Sequence, residues 1–186
     1  MGITHFEGQI LGGRYQVQAL IGQGGMASVY KGTDTNSKRA VAIKVIHPHL
    51  SSNPEFFRRF EEEATAVAHL RHPNIVQMYD FNHEGDLYYM VMEYVVGETL
   101  QMRLKRLNAS KRRMGIHEVV EYTADICDAA DYAHQRGMIH RDIKPANIML
   151  DVNGKAILMD FGIARMVGGT QHTATGAVLG TAMYMS

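Results

Sequence analysis

The chain has 186 residues, with 19 Lys plus Arg against 19 Asp plus Glu, zero formal net charge with His neutral, and 46% apolar residues. This balance excludes the strongly basic footprint of a general nucleic-acid binder and the charge excess of a disordered acidic tail. No apolar run approaches the roughly 18 residues of a membrane span, so this segment is expected to make no membrane contact.

The first third reads as strands. From Tyr15 to Leu20 apolar side chains fall at alternate positions. Gly22, Gly24 and Gly25 interrupt the pattern, and Ser28-Val29-Tyr30 resumes it. Asp34-Thr35-Asn36-Ser37 is a hairpin turn. In the strand Val41–Ile46 the period of two puts Ala42 and Lys44 on one face and Val41, Ile43 and Val45 on the other. A helix follows, with Asn53 as N-cap and Pro54 at its first position. Its apolar stripe is Phe56, Phe60, Val67 and Leu70, with Glu63 inside it. A carboxylate aimed inward needs a cation or a donor. Strands are expected near 75–80 and 87–94, and Gly97 marks a break. A second helix is expected over 117–136, with Val119, Tyr122, Ile126, Ala129 and Ala133 as its buried stripe and Gly137 closing it. The chain thus divides into a β-rich part, 1–95, and a helix-rich part, 96–186, joined by a hinge at 93–97. Clefts between such parts favour ligands.

Two segments carry chemistry. Gly22-Gln23-Gly24-Gly25-Met26-Ala27-Ser28-Val29 lies between strands, and its glycines let backbone N–H groups approach phosphate oxygens. It is not a P-loop, because no Gly-Lys-Ser/Thr follows and no helix opens from it. His140-Arg141-Asp142-Ile143-Lys144-Pro145-Ala146-Asn147 is more specific. Asp142 can accept a proton, Lys144 can neutralise a phosphoryl group and Asn147 can offer an amide oxygen to a hard cation. Residues 148–151 and 156–159 form a hairpin turning at Asn153-Gly154. That turn returns Asp160 of Asp160-Phe161-Gly162 beside Asn147, giving two oxygen ligands for Mg²⁺.

Val41-Ala42-Ile43-Lys44, His140-Arg141-Asp142 through Asn147, and Asp160-Phe161-Gly162 resemble the signature set of eukaryotic-type protein kinases. The Gly-Gly-Met loop, Lys-Pro-Ala-Asn-Ile-Met and Asp-Phe-Gly-Ile-Ala-Arg are most similar to bacterial serine/threonine kinases of the type joined to PASTA repeats. The resemblance runs from about Tyr15 to Ser186. It implies an α+β, bilobal protein-kinase-like fold with a β-rich small lobe and an incomplete helical large lobe ending in the activation segment. It implies transfer of the ATP γ-phosphoryl to Ser or Thr hydroxyls of protein substrates, with Mg²⁺ or Mn²⁺.

Residue by residue, the resemblance has Lys44 hold the α- and β-phosphates and pair with Glu63. Asp142 takes the substrate proton, Lys144 stabilises the transferring group, and Asn147 and Asp160 bind the metal. Ile21, Gly22, Gly24 and Gly25 line the nucleotide. Val29 and Ala42 lie above adenine and Met149 below. The backbone at Glu93 and Val95 bonds adenine, with Met92 as gatekeeper. Val67, Met78, His140 and Phe161 stack as a spine. Thr173 and Thr175 are the expected autophosphorylation sites, set near Arg141 and Arg165, while Thr181 is a structural contact and favours Ser/Thr over Tyr. Members of this family also pair through the small lobe, so a homodimer of that kind is an expected partner, and a later segment could anchor the parent protein.

The sequence departs from the family pattern at Ala27, which replaces the third loop glycine, and at Ser186, beyond which the family continues. The rival expectation is a catalytically incomplete nucleotide-binding or scaffold fragment of such a kinase. Other features read plainly. Cys127, the single cysteine, suits a reducing cytoplasm and is expected as a small buried side chain. The basic run 105–113 is a solvated helix and loop. His47-Pro48-His49 has no third nearby ligand and reads as a loop rather than a metal site.

Overall fold

The computed structural model describes residues 6–47, 61, 64–65 and 67–161. They fall into two compact units: one built from the chain up to His69 together with Gln77–Tyr94, the other from Leu70–Val76 and the chain from Val95 onward.

The first unit is a six-stranded antiparallel sheet in the order β1-β2-β3-β4-β6-β5. The strands are β1 (Ile10–Leu11), β2 (Tyr15–Gln23), β3 (Ala27–Asp34), β4 (Arg39–Ile46), β5 (Met78–Glu84) and β6 (Leu87–Glu93). Period-two patterning decides which face is packed. Val41, Ile43 and Val45 of β4 are buried with Leu11, Tyr15, Val17, Tyr30, Tyr89 and Val91 in one cluster, joined by Phe6. Aromatic edges organise it: Phe6 meets Tyr30 at 5.9 Å and Tyr15 meets Tyr89 at 6.4 Å between ring centroids. The β3–β4 turn forms where Asp-Thr-Asn-Ser predicts it. The fifth strand lies three residues later than the apolar pattern suggests, because Ile75 makes only an isolated bridge to Leu158 in the second unit. Helical turns occur at residues 61, 64–65 and 67–68, in the segment expected to be helical.

The second unit holds a three-stranded sheet, β7 (Gly97–Thr99), β8 (Ile148–Asp151) and β9 (Ala156–Leu158), in that order. It also holds helices α1 (Leu100–Ala109) and α2 (Ile116–His134). Thr99 caps α1 by accepting a hydrogen bond from Met102 N at 3.1 Å. The expected helix α2 and hairpin β8–β9 are present, and Gly137 takes the left-handed φ of +74° just past the helix. Only part of the α2 stripe is buried among the described residues. Ala129 and Ala133 are fully covered, whereas Val119 is 40% exposed. Cys127 is exposed, not buried as its type suggests, because it lies off that stripe. The segment Leu70–Val76 is tied to β9. Asn74 Nδ2 donates to Ala156 O at 2.8 Å, Leu158 N to Asn74 O at 2.8 Å, and Val76 N to Leu158 O at 3.0 Å. His72 Nε2 reaches Asp128 of α2 at 3.2 Å.

Candidate functional site

Strand register gathers the expected nucleotide residues of the first unit on one face of its sheet. Residues directly opposite in an antiparallel pair share a face. Gly22 lies opposite Val29, Val29 opposite Lys44, and Lys44 opposite Met90. Ala42, two residues from Lys44, lies opposite Met92. Val29, Ala42, Lys44 and Met92 therefore line the face opposite the Val41–Ile43–Val45 cluster. Ile21 sits at a β-bulge between Leu20 and Gly22, which re-aims the strand there. The hairpin tip is tight: Gly24 N donates to Ala27 O at 2.9 Å. A Cβ added at Gly25 would meet nothing within 4 Å, so the backbone there is open to an approaching ligand. The N–H of Glu93 is taken by Gln77 O at 2.8 Å.

In the second unit a single polar loop concentrates the chemistry. His140 is buried and packs against Phe161 at a tilt of 54°, with ring centroids 4.7 Å apart. Its Nε2 lies 2.7 Å from Met159 O, an atom that only accepts, so Nε2 carries the proton. Nδ1 then accepts from Asp142 N at 3.2 Å. Burial pushes the His140 pKa below the ordinary histidine value, in keeping with this neutral ring, although the bond to Met159 O pulls the other way. Arg141 takes a left-handed φ of +63° and Asp160 one of +55°. Such conformations in non-glycine residues cluster at functional sites.

The Asp142 carboxylate is the centre of the loop. Its Oδ2 accepts from Lys144 Nζ at 2.8 Å and from Asn147 Nδ2 at 2.9 Å. Asn147 Nδ2 also donates to Asp142 O at 2.9 Å, and a short 3₁₀ turn over Pro145–Asn147 holds the amide there. The second oxygen, Oδ1, is buried and has no hydrogen-bond partner among the described residues. An unpaired buried acceptor costs about 1–3 kcal/mol, more when charged, and is explained where a reacting group completes it. With Nδ2 committed to Asp142, the amide oxygen of Asn147 is the end left to meet a hard cation. The β8–β9 hairpin returns as the sequence suggests, with Met159 N donating to Asn147 O at 2.9 Å, directly before Asp160. An amide oxygen and a carboxylate fit the oxygen-ligand chemistry of Mg²⁺.

Met149 is in β8, paired with Ile157 and Thr99. Val95 opens the second unit's main segment. Val67 and Met78 are buried in the first unit. Glu63, Arg165, Thr173, Thr175 and Thr181 lie outside the described residues. His47 lies outside any strand or helix, as the loop reading expects, and its ring is bonded to Ser28 and Gly25 in the glycine-rich hairpin. No local pattern marks these bonds, since Ser28 lies 19 positions earlier.

The protein kinase domain model matches residues 15–186. A probable serine/threonine-protein kinase of Streptomyces coelicolor is 45% identical over 182 residues, which cover 95% of this chain and 26% of that protein. Serine/threonine-protein kinase PrkC of Bacillus subtilis is 42% identical over 179 residues, covering 96% of this chain and 27% of that one. The crystal structure of the Mycobacterium tuberculosis PknI kinase domain superposes with a TM-score of 0.74 at 32% identity, covering 86% of this chain and 64% of that one. The chain thus spans about a quarter of the length of these curated relatives.

Proposed function

The chain belongs to the protein kinase family, and we infer that it carries the nucleotide-binding and phosphoryl-transfer residues of a serine/threonine kinase acting on proteins. The observation that carries this reading is the Asp142 carboxylate, with one oxygen bonded to both Lys144 and Asn147 and the other buried without a partner among the described residues. Asp142 Oδ1 accepts the proton of the substrate hydroxyl. Lys144, held 2.8 Å from Asp142, places a positive charge where the transferring group passes. Lys44, paired with Glu63, holds the nucleotide phosphates beneath the Gly22–Gly25 hairpin. In the first unit Ile21, Val29, Ala42, Met92 and the backbone of Glu93 take part in binding the base, and in the second unit Met149 and the backbone of Val95 do. Asn147 and Asp160 hold Mg²⁺ or Mn²⁺, which when bound neutralises charge developing on the phosphates. Thr173 and Thr175 take phosphate from the same site, and the added charge settles against Arg141 and Arg165.

Among the described residues no helix is long and apolar enough to cross a membrane. Action in the cytoplasm, by a segment anchored through another part of the parent protein, belongs to the same proposal.

Calorimetry and turnover on the full-length protein separate these roles. Asp142→Asn is expected to keep its affinity for Mg·ATP and to lose about 10²–10⁴-fold in phosphoryl transfer, the usual contribution of a positioned base. Asp160→Asn is expected to weaken Mg²⁺-dependent nucleotide binding. An Asp142→Asn protein that turns over like its parent would remove Asp142 from the reaction.

A further inference from the structure

One residue makes three hydrogen bonds to the glycine-rich hairpin. His47 follows β4, and its backbone N–H donates to Met26 O at 2.9 Å. Its ring Nδ1 lies 3.2 Å from Gly25 O, and its Nε2 lies 3.1 Å from Ser28 Oγ. A carbonyl only accepts, so Nδ1 carries the proton. In the neutral ring Nε2 then accepts from the Ser28 hydroxyl. Ser28 is a firm seat for the ring, since it is only 5% exposed and lies opposite Val45 in the β3–β4 ladder.

Strand period assigns the side from which the ring acts. Ser28 lies opposite Val45, so its side chain belongs to the face away from Lys44, and the His47 ring bonded to its hydroxyl lies on that side. The Gly25–Met26 peptide is trans, like every other described peptide. In a trans peptide the C=O and N–H point in opposite directions. A Gly25 carbonyl held toward His47 therefore turns the Met26 N–H away from it, toward the face that carries Val29 and Lys44. Gly24 and Gly25 have no side chains to stiffen this tip, and beyond the ring it is pinned by Gly24 N to Ala27 O and His47 N to Met26 O.

We propose that His47 is a positioning residue for nucleotide binding. Its imidazole, seated on Ser28, fixes the Gly25–Met26 peptide so that the Met26 N–H faces the phosphates of a bound nucleoside triphosphate. This rests on the assignment of the Gly22–Val29 hairpin as the phosphate-binding element. Backbone N–H groups aligned in a loop make an anion-binding concavity, and one such donor is worth a few-fold in affinity.

Hydrogen exchange of the nucleotide-free full-length protein, combined with calorimetric titration of ATP and of adenosine, tests this. His47→Ala is expected to speed exchange of the amides at 24–28 and to weaken ATP about three- to ten-fold, with adenosine affinity unchanged. His47→Asn, whose amide can reach Gly25 O, restores part of the protection. Ser28→Ala moves exchange and ATP affinity in the same direction by less, and carries the test if His47→Ala fails to fold. Unchanged exchange and ATP affinity in the variants would overturn the proposal, as would equal losses of ATP and adenosine. A parent protein that binds no ATP would overturn the kinase reading itself, whereas a parent that binds ATP beside unaffected variants overturns only the role of His47.

Discussion

Asp34 shows how a single buried carboxylate can fix a corner of the first unit. Its side chain has no solvent exposure. Arg14 donates to it twice, Nε to Oδ1 at 2.9 Å and Nη2 to Oδ2 at 2.8 Å. Ser37 Oγ and the N–H groups of Asn36 and Ser37 complete the shell. These donors, the Arg14 guanidinium first, hold the carboxyl well below the usual carboxylate range, against the opposing effect of burial. A depressed carboxyl pKa stabilises the fold above the unfolded-state value near 4. The contribution is lost as pH falls below it. Unfolding midpoints followed from pH 6 down to pH 2 are therefore expected to fall less steeply in Asp34→Asn than in the parent. Parallel curves would contradict the assignment. The turn at 34–37 was legible from its residue types, but the guanidinium was not: Arg14 lies twenty positions earlier, and only the β2–β3 register brings it there.

Elements with strong local signals were legible, and those built on distant pairing were not. Helix α2 shows because its apolar spacing runs for about four turns, and β8–β9 because Asn153-Gly154 sits between two apolar runs. Strand β7 has three residues, too few for a period, and its partner β8 lies fifty positions on. Gly97 looked like a simple break for this reason. Its real constraint is steric, since a Cβ there would lie 1.9 Å from Leu150 O in the backbone of β8. Gly97→Ala is expected to destabilise the second unit by about 1–3 kcal/mol or more, the range for overpacking. Thermal or denaturant unfolding of the full-length protein measures it, and a change within about 0.5 kcal/mol, the usual scatter of surface substitutions, would show that the strands separate at little cost. Helix α1 was legible only as a basic stretch, because Leu107 is its one buried side chain and Met102 and Leu104 stay exposed.

At the scale of the whole chain, the residues proposed for the reaction fall in two units. The first presents Val29, Ala42, Lys44 and Met92 on one sheet face, and the second presents Asp142, Lys144 and Asn147 on one loop. The motif spacing made most of these residues legible in advance, because each motif is local: a strand of period two, one turn of loop, one hairpin. What spacing could not show was the state of the Asp142 carboxylate, with Oδ2 accepting two hydrogen bonds and Oδ1 buried without a partner among the described residues. Nor could it show that Leu70–Val76 clusters with the second unit through Asn74, which has no local pattern to mark it. The most direct test is phosphopeptide mass spectrometry of the full-length protein and its Asp142→Asn variant after incubation with Mg·ATP. The account predicts phosphate on serine or threonine, Thr173 and Thr175 among the sites, in the parent and almost none in the variant. Equal phosphate in both proteins, or none in the parent, would contradict it.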